Sequence, residues 1–406
     1  MGKSFKVSIV GQGYVGLPLS IAAIRAGHSV TGIEVDLNRL SQLASGRSTI
    51  EDISDEQLSS CLQNGLKFDG NFQSITSAEI VIICVPTPID EFGAPNLEPL
   101  VSCVNQVADL VRPGTLIVNE STSFPGTVRE LIEPTINKKS GVRDLYFVSA
   151  PERVDPGNAK WDITNTPRLI GGTDQKSTDL ARQFYESFCS EVITVSSPEV
   201  AETAKLLENT FRQVNIALIN QIAEFTRPIG IDALEVVNAA SSKPYGFLAF
   251  MPGAGVGGHC IPVDPMYLAW RAEQFGVELP LVKLAQKLNS NRPKKIVSSI
   301  LEKHGSKPSS VLVVGIGYKA GSSDIRESSG VKIYNELKSL VRIVDWFDPF
   351  ISTFDGKSSQ GDWTSHEIVI LVQDCGGFKM EDWEDSSTQI YDCTGKYFDY
   401  DFVRQV

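Results

Sequence analysis

Short apolar runs rich in β-branched residues recur along the first part of the chain, separated by polar and glycine-rich stretches. They predict buried strands at residues 5–10, 28–33, 78–85, 115–119 and 145–149. Between them, apolar residues at helical spacing predict helices at residues 17–26 and 97–111. Strands that alternate with helices in this way favour an α/β fold with a parallel sheet.

The middle of the chain follows a helical period instead. Residues 199–228 contain no glycine and no internal proline, and apolar residues recur at three- and four-residue steps: Ala204, Leu207, Phe211, Val214, Leu218, Ile222 and Phe225. This pattern predicts one amphipathic helix of roughly 30 residues and ~45 Å, long enough to bridge domains or subunits. Shorter helices are predicted at residues 231–240 and 266–275, and a longer one at residues 281–304.

The first predicted strand runs directly into the turn Gly11-Gln12-Gly13-Tyr14-Val15-Gly16, which opens a helix. A strand, G-x-G-x-x-G and a helix form the fingerprint of a dinucleotide site, with the pyrophosphate at the helix N-terminus. Glu34 ends the second strand, 18 residues after Gly16, where a carboxylate holds a ribose 2′-hydroxyl and favours NAD over NADP. Arg39 would weaken that preference or pack over the adenine.

A second strand–glycine–helix unit begins at residue 310, and further strands are predicted at residues 341–347 and 368–372. Its turn, Gly315-Ile316-Gly317, resembles half of the first but lacks the third glycine. We therefore predict two Rossmann-like, doubly wound α/β domains joined by a long helix and a central helical domain. The expected boundaries are 1–197, 198–306 and 307–406.

Polar residues follow three successive strands of the first domain. Thr87, Thr122 and Glu152 all lie just past a predicted strand end, and ligands of open α/β sheets bind outside the carboxyl ends of the strands. Each threonine could equally cap a helix, but three such positions in succession favour a ligand site.

Charge and cysteine content narrow the class of protein. The net charge is −12, which argues against a general affinity for nucleic acid or anionic lipid. No apolar run reaches the length of about 18 residues that a membrane span needs. The seven cysteines are widely spaced without a C-x-x-C pair, so we expect reduced thiols in a cytoplasm, without a disulfide framework or a structural zinc site.

The glycine-rich loop at residues 253–265 carries the most reactive side chains. His259 and Cys260 follow Gly257 and Gly258, and Asp264 lies four residues after the thiol. Glycines allow a close backbone approach to a ligand, and a thiol beside a carboxylate suggests a positioned nucleophile. The alternative is a connector with a buried, inert cysteine.

With these residues laid out, the chain resembles the UDP-glucose/GDP-mannose dehydrogenase family over essentially its whole length. The matching segments are VGQGYVGLPLS, CVPTP, STSFPGT, SAPERVDPGN, AETAKLLENTFR, GVGGHCIPVDP, NSNRP, VGIGYK and SSDIRESSG. The loop GGHCIPVDPMYL is similar to the branch that acts on UDP-N-acetylglucosamine, whereas the glucose branch has Ser and Lys at the positions of His259 and Val263. The N-acetylmannosamine branch is the close rival.

This resemblance implies a four-electron oxidation of the sugar C6 alcohol to an acid, with two NAD reduced and surface polysaccharide as the family's usual pathway. Cys260 would form a thiohemiacetal and then a thioester, with His259, Lys205 or a helix N-terminus near Pro265 favouring its thiolate. Lys205, Asn209 and Thr122 would stabilise the developing oxyanion, and Asp264 or Glu152 would handle water and protons. No metal is implied.

The resemblance also assigns binding residues. The cofactor would be held by the glycine turn, Glu34, Arg39, Thr87, Thr122 and Arg326. The UDP-sugar would be held by Glu152, Arg153, Lys205, Asn209, Phe247, Leu248, Phe250, Gly253, Gly257, His259 and Lys319. The alternative for Arg326 is a salt bridge between domains, and His259 could simply bond a nearby carbonyl. We expect a homodimer through the central helix.

Two other functions share parts of this pattern. A two-electron hydroxy-acid dehydrogenase would have the same fold but would use no nucleophilic cysteine. A non-catalytic binder of NAD or nucleotide sugars would keep the grooves without the set of Cys260, Lys205, Asn209 and Asp264. UDP-N-acetylmannosamine and UDP-glucose remain alternative substrates.

Overall fold

The computed structural model describes residues 3–90, 93–155, 158, 160–258, 260–361, 363–384, 386–397 and 399–406. The chain divides into two compact units. The first unit comprises Met1–Glu208 and Met266–Val277, and the second comprises Asn209–Pro265 and Glu278–Val406. The prediction of three domains divided after residues 197 and 306 stays a prediction.

An eight-stranded sheet forms the centre of the first unit. Its strands are β1 (Lys6–Val10), β2 (Ser29–Ile33), β3 (Lys67–Asp69), β4 (Ile80–Ile83), β5 (Leu116–Asn119), β6 (Tyr146–Ser149), β7 (Arg168–Gly172) and β8 (Val192–Thr194). Their order is β3-β2-β1-β4-β5-β6-β7-β8, and β6 and β7 are the antiparallel pair. Apolar side chains of the strands pack against helices in two buried clusters.

Helices flank this sheet. They are α1 (Gly16–Arg25), α2 (Leu37–Ala44), α3 (Asp55–Gln63), α4 (Glu98–Ala108), α5 (Glu133–Ser140) and α6 (Gln175–Tyr185). A short 3-10 helix (Gln73–Ser77) precedes β4, and a π-helical turn (Thr127–Ile132) precedes α5.

Four helices connect the two sheets along the chain: α7 (Pro198–Thr226), α8 (Ala233–Ser241), α9 (Cys260–Gln274) and α10 (Pro280–His304). A single 3-10 turn (Arg227–Ile229) follows α7. The long helix predicted from the heptad-like spacing is confirmed as α7. The helix expected at residues 266–275 begins earlier, at Cys260, and includes Pro265 in its interior. Pro262 falls in its first turn, where proline is tolerated because that N–H has no partner within the helix.

A five-stranded parallel sheet forms the core of the second unit. Its order is β10-β9-β13-β14-β15, with β9 (Ser310–Val314), β10 (Ile343–Phe347), β13 (Ile368–Leu371), β14 (Gln389–Asp392) and β15 (Val403–Gln405). The remaining elements are α11 (Ser329–Lys338), the hairpin of β11 (Thr353–Phe354) and β12 (Lys357–Ser358), and a 3-10 turn (Met380–Trp383).

The predicted fold class is confirmed, with two doubly wound sheets and helices between them along the chain. The hairpin strands β11 and β12 were not predicted, and neither were five strands of the two large sheets: β3, β7, β8, β14 and β15. These five are three to five residues long, and β7 begins with the charged Arg168. The second turn has no third glycine at the spacing of the first, as predicted, but a glycine from further along the chain takes that place in the structure. It is Gly330, whose Cβ would lie 2.4 Å from the carbonyl oxygen of Gly315.

Within the described residues, none of the helices is both long enough and apolar enough to cross a bilayer.

Candidate active site

In the first glycine turn, two glycines are required by packing within the protein, and the third borders open space. A Cβ on Gly11, which has φ +89°, would lie 2.3 Å from the carbonyl oxygen of Cys84, and one on Gly16 would lie 1.8 Å from that of Gly11. A Cβ on Gly13 would meet no atom within 4 Å. Packing therefore explains the outer two glycines, whereas the middle one leaves open space beside the backbone, as a pyrophosphate requires.

The start of α1 is also open to an anion. Val15 is the N-cap residue, no side chain caps the helix, and its first turn carries no acidic residue. The first backbone N–H groups and the helix dipole therefore favour a negatively charged ligand at this end. The neighbouring Tyr14 donates its hydroxyl to Glu51 at 3.0 Å.

Glu34 lies buried just past the end of β2. One of its oxygens accepts from the backbone N–H of Gln12 at 3.1 Å and the other from that of Asp36 at 3.0 Å. Arg39 lies 3.4 Å from the same carboxylate, with its own side chain 43% exposed. The Gln12 side chain is committed to the core, since it donates to Ile9 and accepts from Ser20. The turn and Glu34 together fit an NAD molecule.

Two of the predicted strand-end residues have unused hydroxyls. Thr87 is buried and Thr122 is half-buried, and the structure shows no hydrogen bond from either side chain to the residues it describes. The neighbours of Thr122 differ: Ser121 donates to the carbonyl of Val85 at 2.9 Å, and Ser123 accepts from Asn119 at 3.4 Å. Thr122 thus has a polar atom to spare.

Glu152, in contrast, is part of a buried ion network. Its carboxylate accepts from the backbone N–H groups of Arg153 and Val154 at 2.6 and 2.7 Å, and from the Arg168 guanidinium at 2.8 Å. Arg168 also bonds Glu120 at 3.0 Å. Burial alone would raise the pKa of Glu152, but the charge of Arg168 and the N–H bonds outweigh it and lower this pKa. Glu152 is therefore held as a carboxylate.

The other carboxyl of the network behaves differently. Burial raises the pKa of Glu120 to about 7, although Arg168 acts in the opposite direction, and Tyr185 donates its hydroxyl to this carboxyl. Neither Glu120 nor Arg168 is among the site residues predicted from the sequence. One signal was available, because Arg168 is a lone charge entering an apolar stretch, RLIGG.

Arg153 was predicted to hold the substrate, but the structure gives its side chain other partners. The guanidinium forms an ion pair with Glu208 at 2.6 Å and donates to the carbonyl of Pro167 at 3.0 Å. These contacts occupy its donors within the first unit. Pro156, in the same segment SAPERVDPGN, lies outside the described residues.

Lys205, like Thr87 and Thr122, has donor groups that no described residue uses. It lies on α7 and is only 8% exposed, yet no hydrogen bond or ion pair links its side chain to the described residues. A buried ammonium without a partner is costly, so its position favours a ligand that supplies an oxygen atom. Asn209 follows one helical turn later on the same helix.

In the second unit, three of the predicted residues form a local group. Cys260 is exposed and occupies the first turn of α9, where helix N–H groups favour an anion. Asp264 lies one turn further and is 2% exposed. The Asn209 amide donates to the Asp264 carboxylate at 2.5 Å. The other six cysteines are buried or half-buried, which confirms that Cys260 is the exposed thiol.

The glycines before Cys260 serve packing more than ligand approach. A Cβ on Gly258, at φ +81°, would lie 2.8 Å from the Tyr318 ring, and one on Gly257 would lie 3.1 Å from the same residue. The backbone N–H of Gly258 donates to the carbonyl of Arg326 at 3.1 Å. These glycines therefore fasten the loop to residues 318–329. His259 lies outside the described residues.

The predicted substrate loop is largely exposed. Phe247 and Leu248 are exposed and Phe250 is half-buried against Phe211, with ring centroids 5.8 Å apart. The backbone of Gly253 is engaged on both sides: its N–H donates to Asn220 at 2.9 Å and its carbonyl accepts from Arg292 at 3.2 Å. The N–H of Gly253 is therefore committed to Asn220, and the role of Gly253 toward the sugar stays a prediction.

Lys319 and Arg326 lie on the loop that follows the second glycine turn. Lys319 is half-buried. The Arg326 guanidinium pairs with Asp324 at 2.6 Å, within its own loop and its own unit.

These features define a class: an α/β protein with an NAD-type turn in one unit and an exposed thiol on a helix N-terminus in the other. Residues 5–189 match the NAD binding domain of the UDP-glucose/GDP-mannose dehydrogenase family, and residues 199–291 match its central domain. The chain belongs to this family and is an NAD-dependent oxidoreductase.

The relatives sharpen this assignment. The UDP-N-acetyl-D-glucosamine 6-dehydrogenase of Pseudomonas aeruginosa is 33% identical over 88% of this chain and 86% of its own length. The UDP-N-acetyl-D-mannosamine dehydrogenase of Pyrococcus horikoshii is also 33% identical, over 93% and 91%. A solved structure of the UDP-D-ManNAc dehydrogenase from Pyrococcus horikoshii covers 98% of both chains with a TM-score of 0.88 and 28% identity.

Proposed function

We propose that this protein oxidises the C6 hydroxyl of a UDP-N-acetylhexosamine, with UDP-N-acetylglucosamine as the preferred substrate, to the uronic acid. The observation that carries the proposal is Cys260, an exposed thiol on the first turn of α9. A simple two-electron alcohol dehydrogenase has no use for such a nucleophile.

The reaction balances as two oxidations and one hydrolysis. The alcohol first loses a hydride and a proton to become the aldehyde. The Cys260 thiolate adds to the aldehyde carbon, and loss of a second hydride from the thiohemiacetal gives a thioester. Water cleaves the thioester to the acid and the free thiol. NAD, when bound, supplies the hydride acceptor, and two molecules are reduced per sugar.

The proposed roles follow from the hydrogen-bonding groups that each side chain still has available or holds in place. Lys205 and Thr122 have donors that no described residue uses, and together with Asn209 they would stabilise the developing oxyanion. Asp264, held by Asn209 at 2.5 Å, would orient water and accept its proton. Glu152, fixed as a carboxylate, would hold substrate or act as a base.

The remaining binding residues keep the roles that the family resemblance gave them. Gly11 to Gly16, Glu34, Arg39, Thr87 and Arg326 would hold NAD, and Lys319 with Phe247 and Leu248 would hold the uridine diphosphate and sugar. Arg153, Gly253 and Gly257 would contribute chiefly by shaping the loops, because their polar groups or Cβ positions are occupied within the protein.

The choice of sugar rests on GGHCIPVDPMYL, which resembles the glucosamine branch, and on the Pseudomonas relative. The mannosamine relative is equally similar, so UDP-N-acetylmannosamine is the second candidate. Supply of an acidic sugar for surface polysaccharide, by a cytoplasmic enzyme that binds neither nucleic acid nor membranes, is the proposed setting.

A homodimer through α7 is part of the proposal. Val200, Leu207, Phe211, Leu218 and Phe225 are between 43% and 63% exposed, and they recur at heptad-like spacing along one helix. A second copy of this apolar stripe is its natural partner. Replacing Leu218 and Phe225 by Asp should convert the dimer to a monomer in analytical ultracentrifugation.

The deciding assay supplies NAD with UDP-glucose, UDP-GlcNAc, UDP-ManNAc or UDP-GalNAc and counts NADH per sugar consumed. We expect two NADH per sugar and the highest kcat/KM with UDP-GlcNAc. Cys260→Ser should form no acid product, whereas Cys61→Ser, which alters a buried thiol of α3, should keep turnover. One NADH per sugar, or acid formation by Cys260→Ser, would refute the thioester route, and no turnover would favour the non-catalytic binder.

A further inference from the structure

A buried carboxyl group lies one turn before Lys205 on α7 and has no part in the proposed reaction. Glu202 is 3% exposed, and no described cation pairs with it. Its two oxygens accept from the backbone N–H groups of Gly126 at 2.6 Å and Val128 at 3.0 Å. Burial raises the pKa of Glu202 to about 8, with the two N–H bonds acting against that rise.

The backbone that Glu202 holds is the downstream end of the segment that carries Thr122. Further contacts fix the same end: Arg271 donates to the carbonyl of Pro125 at 2.9 Å, and Trp270 packs on Phe124 with ring centroids 5.4 Å apart. All of these residues belong to the first unit.

The upstream end of the segment is anchored to the sheet. Ser121 donates to the carbonyl of Val85, and the Asn119 amide donates to the carbonyl of Ser121 at 3.1 Å. Thr122 lies between the two anchors, and its hydroxyl is bonded to none of the residues that the structure describes. Gly126, whose N–H donates to Glu202, has φ +106°. This left-handed backbone conformation favours glycine at the position.

We propose that Glu202 is a positioning residue that fixes the Thr122 segment to the turn of α7 that bears Lys205. The inference rests on the proposed function, in which both of these groups serve the same oxyanion. The carboxyl group of Glu202 suits the task because each of its two oxygens accepts one backbone N–H group. A glutamine side chain would place its NH2 group, a donor, against one of these two backbone N–H groups.

A double-mutant cycle tests the role. Glu202→Gln should lower kcat by about tenfold or more while the KM values for NAD and UDP-sugar change less than about threefold. Thr122→Ala should lower kcat similarly, and the double variant should be no worse than the poorer single variant by more than about twofold, because both changes remove one interaction.

The matched control is Glu199→Gln. Glu199 lies one turn earlier on α7 and forms a solvent-accessible ion pair with Arg129 at 2.7 Å. Arg129 lies in the π-helical turn that also contains Val128. Loss of this ion pair should leave kcat within about twofold, as expected for an exposed pair. If Glu202→Gln does not fold, Glu202→Asp takes its place, since it keeps the carboxyl group but shortens the side chain.

Two results would overturn the proposal. One is a double variant whose loss of kcat equals the product of the two single losses, and the other is a Glu202→Gln enzyme with unchanged kcat. Amide hydrogen exchange separates it from the function itself. Gly126 and Val128 should be protected in the wild type and in Glu199→Gln and should exchange faster in Glu202→Gln. Equal exchange in all three refutes the positioning role, whereas an inactive wild type with the expected exchange pattern refutes the proposed reaction and, with it, the catalytic purpose assigned to Glu202.

Discussion

The two glycine turns share one backbone design. The N–H of Gly11 donates to the carbonyl of Ile33 at 2.8 Å, and that of Gly315 donates to Phe347 at the same distance. The residue after each of these strand ends is a buried acid, Glu34 or Asp348. Each acid accepts a backbone N–H of its turn, at 3.1 Å from Gln12 and 3.0 Å from Gly317.

The turns differ in what covers them. Gly13 borders open space, whereas a Cβ on Gly317 would lie 2.5 Å from the carbonyl oxygen of Ser322. The Ser328 hydroxyl caps α11 by accepting from the N–H groups of Gly330 and Val331 at 3.1 and 3.4 Å. An inserted loop thus fills, in the second unit, the place that the first leaves for a pyrophosphate. One backbone design therefore serves as a cofactor site only where the chain leaves it uncovered.

The largest expected effects come from the glycines that both turns need. Gly16→Val and Gly330→Val should each destabilise the protein by about 3 kcal/mol or more, because the new side chain would strike backbone carbonyls. Urea unfolding measures the loss. Gly361→Ala is the control, since its Cβ would meet nothing within 4 Å. A stable Gly330→Val protein would show that Gly330 is not the third glycine of the second turn.

The middle glycines should separate binding from stability. Gly13→Ala should keep wild-type stability but weaken NAD binding by about tenfold, or ~1.4 kcal/mol, since its methyl group enters the open space. Gly317→Ala should instead cost about 1–3 kcal/mol of stability and leave NAD affinity unchanged. Calorimetric NAD titration and urea unfolding of both variants give the comparison, which fails if the two respond alike.

Glu34 and Asp348, the acids that follow the two strands, should also differ in whether they affect cofactor binding or stability. Glu34→Gln should weaken NAD binding several-fold and narrow the preference for NAD over NADP, because the ribose hydroxyls lose a charged acceptor. Asp348→Asn should leave cofactor affinity unaltered and cost about 1–3 kcal/mol through its buried hydrogen bonds. Cofactor titrations with NAD and NADP would contradict this if Asp348→Asn changed either affinity.

The smallest effect belongs to the cap that closes the second turn. Ser328→Ala should cost about 1 kcal/mol, the usual value of a lost N-cap, without affecting NAD affinity. Ser358→Ala, at an exposed position of β12, should be neutral in the same unfolding experiment. An unchanged stability of Ser328→Ala would show that the cap does not hold the loop over the turn.

The spacing of apolar residues predicted most of the strands and helices that position the site. This spacing, like a glycine turn, depends only on residues close together in the sequence. The turn of Gly11 to Gly16, Glu34 and the long helix were visible in this way. The ion network of Glu152 was not: Arg168 comes from the short strand β7, and Glu120 directly follows β5, so only the folded sheet joins them. Gly330 was missed because an inserted loop separates it from Gly317, and sequence spacing alone does not show that α11 returns to the turn.

What the amino-acid sequence determined by itself is therefore the fold class, the NAD turn and the candidate thiol, since each depends on neighbours along the chain. Only the tertiary structure decided which polar groups are already committed. Arg153 and the backbone of Gly253 are spent on internal bonds, whereas Lys205 and Thr122 keep donors unused by the described residues. A hydrogen bond between distant residues depends on how strands and helices pack, and that information is spread over the whole chain.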